Sequence, residues 1–122
     1  MIKNLDFQCA VHAGEIAKEV KEEGTIGKAL GVLQEDGVYA FFIYLLSLER
    51  KQPYEKKAKA IINQAANLLN EHKLISNQNI DANNVTEIIK PLTENLAKLI
   101  LAKTLLERTL VYARYHAKAL SL

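Results

Sequence analysis

Residues 38–48, VYAFFIYLLSL, constrain this chain more than any other stretch. Tyr39, Phe41, Phe42, Ile43, Tyr44, Leu45, Leu46 and Leu48 leave no wide polar stripe at either a helical or a strand period. A segment that is apolar all round is a buried core element or a membrane span. Eleven residues are too few to span, since a transmembrane helix needs about 20. Aromatic residues also suit strands, but the upstream neighbours argue for a helix. Ile26, Ala29, Leu30 and Leu33 fall at helical spacing, and Asp36-Gly37 then supplies a stop. The stretch 25–48 therefore reads as a short helix, a sharp glycine turn and a buried helix, which the rest of the chain must cover.

The remaining segments continue the helical pattern. Leu5, Cys9, His12, Ile16 and Val20, widened by Ala13 and Ala17, predict a first helix over 4–23, ended by Gly24. Thr25 is the expected N-cap of the second helix. Its Gly27 and Gly31 allow close approach of another backbone or tight local packing. Pro53 is expected to open a third long helix at its first turn. That helix carries the stripe Tyr54, Ala58, Ile61, Ala65, Leu68, His72 and Ile75. Residues 76–84, SNQNIDANN, read as a surface loop suited to disorder or insertion. Val85, Ile88 and Ile89 predict a short inward-facing helix, bent or ended by Pro91.

The last helix is expected over 92–120, with its main stripe on Leu92, Leu96, Leu99, Leu106, Leu110, Ala113, Ala117 and Leu120. Leu101, Leu105 and Tyr112 suggest a second apolar face, as in a helix that is either central in its own bundle or shared with a partner. The expected fold is all-α: one domain over 1–122, a compact bundle of about five to six helices with a long C-terminal helix. Few glycines and prolines, and little Val-Thr-Ile alternation, fit that class.

Chemistry-bearing constellations are sparse. One cysteine permits no internal disulfide and no cysteine-based zinc site. Cys9 reads as a small core hydrophobe. His12 could ligate a metal with Glu15, but one His-x-x-Glu pair is half of no known carboxylate-bridged site, and a core or interface histidine is the simpler reading. Gly-Lys-Ala-Leu-Gly has the wrong glycine spacing for a phosphate loop, and no hydroxyl follows Lys28 to hold magnesium. No nucleophile pairs recognisably with a histidine. The expectation is a non-enzyme without cofactor. The N-terminus carries acids and lacks an unbroken apolar core, so no signal peptide is expected and the location expected by default is cytoplasmic.

Charge is uneven along the chain. Residues 1–49 hold four lysines against eight acids, and residues 50–122 hold twelve lysines and arginines against six. Such a chain could stack its acidic half on the basic half of a copy, offer the basic half to a polyanion, or simply have lopsided solvated faces. Lys56 and Lys59, followed by Asn63, Asn67 and Asn70, suit a sugar-phosphate backbone or an ordinary wet face. On the last helix Lys103, Glu107, Arg114 and Lys118 run together, with Arg108, Tyr115 and His116 beside them. Tyrosine beside arginine can stack on and clamp unpaired bases. A plain Lys103–Glu107 pair at four residues is the alternative.

The N-terminal amphipathic helix, GKALGVLQEDGVYAFFIYLLS (27–47) and LAKTLLERTLVYARYHAKAL (101–120) together resemble the small helical subunit of type III CRISPR effector complexes, the Cmr small-subunit family. The chain departs from that family in having no tryptophan, with Tyr112 where one often stands. It also lacks the usual proline in the Gly-Lys-Ala-Leu helix. The resemblance implies a non-enzymatic helical protein that stacks head to tail beside guide-bearing backbone subunits and helps hold guide and target RNA. Lys28 and Arg114 match basic positions of the family pattern. Lys56, Lys59, Lys103, Arg108 and Lys118 join them as candidate RNA-binding residues from the geometry of their helix faces. A helical adaptor that binds only protein is the competing expectation.

Overall fold

In the computed structural model, residues 4–121 are described, and they form six helices and no strand. The first, α1 (Leu5–Val20), starts where the Asn4 side chain accepts from the Phe7 N–H at 3.0 Å. It stops short of Gly24. Lys21 takes the left-handed conformation at φ 64 and closes the helix through its N–H to Ala17 O. The second helix, α2 (Glu23–Asp36), begins at once, two residues ahead of the expected cap Thr25. That start has no side-chain cap, and tertiary ion pairs hold its acids. Glu22 binds Lys57, while Glu23 binds Arg114 and Lys118. The glycine stop lies where the sequence puts it: Gly37, at φ 96 and ψ −176, ends α2 and begins α3 (Val38–Glu49).

Phe41, Phe42 and Leu45 of α3 are fully buried, and the two phenylalanine rings meet edge to face at 5.1 Å. The helix is not enclosed all round, because Tyr39 and Ile43 reach the surface and the Tyr39 hydroxyl bonds Thr86 at 2.9 Å. Pro53 sits in the turn before α4 (Glu55–Glu71) instead of inside it, the turn being closed by Tyr54 N–H to Lys51 O. The chain then loops through residues 72–84. Leu74, Ile75 and Ile80 tuck into the core. Asp81 and Asn84 exchange side-chain-to-backbone bonds at 2.8 and 3.0 Å, and Asn84 Nδ2 donates to Asn79 O. The expected surface loop is therefore pinned by its own amides and by one isoleucine. Pro91 lies within α5 (Val85–Thr93) and does not end it, the helix running two residues further.

Leu92 belongs to α5, not to the last helix. Asn95 caps α6 (Leu96–Leu120), accepting from Lys98 N–H at 3.1 Å. The buried side of α6 is Ala102, Leu105, Leu106, Thr109, Leu110, Ala113 and Ala117. Leu105 thus sits in the core, and Tyr112 is half-buried with its hydroxyl on Asp6, so at these two positions the second apolar face is covered by the chain's own bundle and not left open for a partner. What α6 does expose is its first turns, with Leu96, Ile100 and Leu101, and its last leucine, Leu120.

Packing neighbours place five helices in a closed ring, in the order α1, α4, α3, α2, α6 and back to α1, with α5 lying across α6 and α3. Contacts at Cys9–Leu105 and Gly14–His116 advance together, so α1 and α6 run parallel. Glu23–Arg114 and Gln34–Lys103 set α2 antiparallel to α6. Among the described residues no helix is long and apolar enough to cross a membrane.

Candidate nucleic-acid interface

Helix α2 is a rib on the outside of the ring with a groove on each side. Its buried edge is Ile26, Ala29, Leu30 and Leu33. A groove of about 260 Å³ separates it from α6, lined by Leu30, Gln34, Val111, Arg114, Tyr115 and Lys118. On the opposite flank, Lys28, Tyr44, Lys51 and Tyr54 line a second groove of about 460 Å³. Lys57 stands beside that groove with its ammonium 5.7 Å from the Tyr54 ring. On the α6 side the Lys118 ammonium lies 5.9 Å from the Tyr115 ring, which is 67% exposed. Each groove thus offers cations next to an aromatic face, the pairing that unpaired bases and their phosphates use.

Arg114 is the best-positioned cation. Its side chain crosses α2 at Gly27, where a methyl group would come within 3.4 Å of Nε. The bare glycine face lets the guanidinium stem lie flat, with Nε buried. Its NH2 group donates to Glu23 at 2.8 Å, and Lys118 Nζ lies 3.6 Å from the same carboxylate oxygen. The Arg114 guanidinium, followed by the Lys118 charge, holds the Glu23 carboxyl below its ordinary range.

The seven candidate residues do not converge on one place. Lys28 lines the groove between α2 and α3, whereas Lys56 and Lys59 stand on the exposed outer face of α4. Among the described residues these three make no ion pair. Lys103 donates to Gln34 O at 3.4 Å and does not take the expected pair with Glu107. Arg108 is 3.4 Å from Asp6. Arg114 and Lys118 share Glu23.

No family model, curated protein or solved structure matches this chain.

The remaining chemistry-bearing side chains sit inside the bundle. His12 is buried, its Nδ1 2.7 Å from Gln64 Oε1 and its Nε2 3.1 Å from Glu71, so α4, not Glu15, supplies its partners. Among the described residues no group of three His, Cys, Asp or Glu side chains gathers as a metal site. Cys9 is fully buried and its thiol donates to Leu105 O at 3.6 Å, burial pushing its pKa up. The amide ladder on α4 is partly spent on structure, since Asn70 donates to Ile75 O. Sequence reasoning passed over Lys51, Tyr44, Tyr54 and Glu23. Tyr54 and Lys57, three apart at the start of α4, carried a signal for one shared side. The grouping of Lys51 with Lys28 depends on tertiary packing and had none.

Proposed function

We propose that this chain is a non-catalytic structural subunit of a type III (Cmr) CRISPR RNA-targeting effector. It stacks with copies of itself beside the backbone subunits and contacts guide or target RNA through basic helix faces. One observation carries the reading. The two longest segments resembling the Cmr small subunit fall on α2–α3 and α6, and these elements line two exposed grooves: α2 and α6 the one with Arg114, Tyr115 and Lys118, α2 and α3 the one with Lys28 and Tyr44, joined by Lys51 from the turn after α3. Cations spread along two sides of a rib suit an extended polyanion better than a small ligand.

The test is RNA binding by the assembled complex across a salt series. Lys28→Ala, Lys51→Ala and Arg114→Ala together should weaken binding and reduce the slope of log K against log salt by about 0.7 for each phosphate no longer neutralised. Unchanged affinity and slope would remove these faces from the reading.

A protein-only adaptor is the second reading, favoured by the pairing of Arg108, Arg114 and Lys118 with acids of the same chain and by the exposed Leu96, Ile100 and Leu101. Copurification separates the two. RNA together with guide-binding subunits supports the first, and a nucleic-acid-free protein partner supports the second.

A further inference from the structure

We propose that Glu23 masks the RNA site on α6: its carboxylate occupies the Arg114–Lys118 cation pair in the free protein, and an RNA phosphate takes its place on binding. The inference rests on the RNA-contacting reading above and adds a regulatory step to it. Carboxylate and phosphate present the same kind of oxygen edge to a guanidinium. Here one carboxylate oxygen of Glu23 receives both the Arg114 NH2 group, at 2.8 Å, and the Lys118 ammonium, at 3.6 Å. The site is already shaped for a single anion bridging two cations.

Four features make exchange feasible. The Glu23 side chain is 33% exposed, so its departure requires no opening of the core. Exposed ion pairs are weak and compete poorly with a polyanion that brings several phosphates at once. Arg114 also keeps its place when Glu23 leaves, because its stem is seated on Gly27 and its Nε is buried against α2. Tyr115 stands exposed beside Lys118, where a base adjoining the bound phosphate can stack.

The test uses the full chain, a fluorescein-labelled single-stranded oligouridylate and fluorescence anisotropy over a salt series. Glu23→Gln should bind about threefold to fivefold tighter than wild type, the range expected for freeing an exposed ion pair. Its advantage over wild type should shrink as salt rises, because screening weakens the masking Glu23 pair as well. Both effects should vanish in Glu23→Gln/Arg114→Ala. Glu23→Asp, which keeps negative charge in the first turn of α2 but withdraws it from Arg114, should give a smaller increase in affinity and keeps the test open if Glu23→Gln does not fold. A folded Glu23→Gln that binds no tighter, while Arg114→Ala weakens wild-type binding, overturns the masking and leaves the RNA reading standing. Failure of every variant and of wild type to bind the oligouridylate overturns both.

Discussion

Gly31 and Gly37 lie six residues apart and should respond to the same substitution with opposite signs. Gly31 is inside α2, and a Cβ built on it meets nothing within 4 Å. Alanine there gains helix propensity and narrows the unfolded ensemble at no steric cost, worth about 1 kcal/mol. Near the midpoint, unfolding entropy is about 2.1 cal/mol/K per residue. Over 122 residues that converts 1 kcal/mol into a rise in Tm of about 4 °C. Gly37 also has open space around it, but its φ of 96 and ψ of −176 lie where only glycine is comfortable. Gly37→Ala should cost about 1–3 kcal/mol, lowering Tm by about 4–12 °C on the same conversion. Thermal unfolding followed by circular dichroism at 222 nm, checked by urea titration, reads both. A Tm for Gly31→Ala at or below that of wild type would refute the reasoning, since it would mean that the empty space beside α2 is filled in the folded chain. The proposed stacking adds a second use: a copy seated on the rib would reject Gly31→Ala in assembly while the isolated protein gains stability.

Phe42→Ala removes a fully buried ring and its edge-to-face contact with Phe41, and should cost about 4 kcal/mol, seen as a lower urea midpoint with the m-value kept. Cys9 should stay unreactive toward a thiol-specific disulfide reagent in the native protein and titrate as one thiol in urea, because it is fully buried and burial raises its pKa; rapid native labelling would contradict the packing of α1 on α6. The Glu23 carboxyl is held below its ordinary value of 4.5, chiefly by Arg114. Its folded pKa is therefore depressed, so its stabilising effect is present above the unfolded pKa and is lost as pH falls through the lower folded value. A plot of Tm against pH should accordingly fall less steeply below about pH 4.5 for Glu23→Gln than for wild type.

Helix identities were legible because they depend on local periodicity. The α2–Gly37–α3 unit, the inward side of α5 and the long α6 all follow from apolar spacing and one glycine. Boundaries moved where groups distant in sequence or a competing cap intervened. Glu22 and Glu23, held by Lys57 and Arg114, stand at the start of α2 ahead of Thr25, and Asn95 takes α6 away from Leu92. The loop at 72–84 reads as polar and loose in composition, yet reciprocal Asp81–Asn84 bonds and buried Ile80 fix it. Neither feature leaves a periodic trace. Leu105 likewise looked outward on a helical wheel drawn against Leu106 and Leu110, but α1 and α2 flank α6 on two sides and bury a wider arc than one stripe.

The charge asymmetry shows most directly what linear reading misses. Every Lys or Arg ion pair among the described residues joins the stretch 1–49 to the stretch 50–122: Asp6 with Arg108, Glu22 with Lys57, and Glu23 with Arg114 and Lys118. The acidic and basic halves are therefore interleaved around the ring, not set at opposite poles. Exposed pairs of this kind add little stability individually. Their larger consequence is to divide the cations into two classes. Lys28, Lys51, Lys56 and Lys59 are open at once to a polyanion, whereas Arg108, Arg114 and Lys118 become available only when Asp6 or Glu23 lets go. For the proposed RNA contact, this division places a first encounter at α4 and the groove between α2 and α3, ahead of engagement of α6.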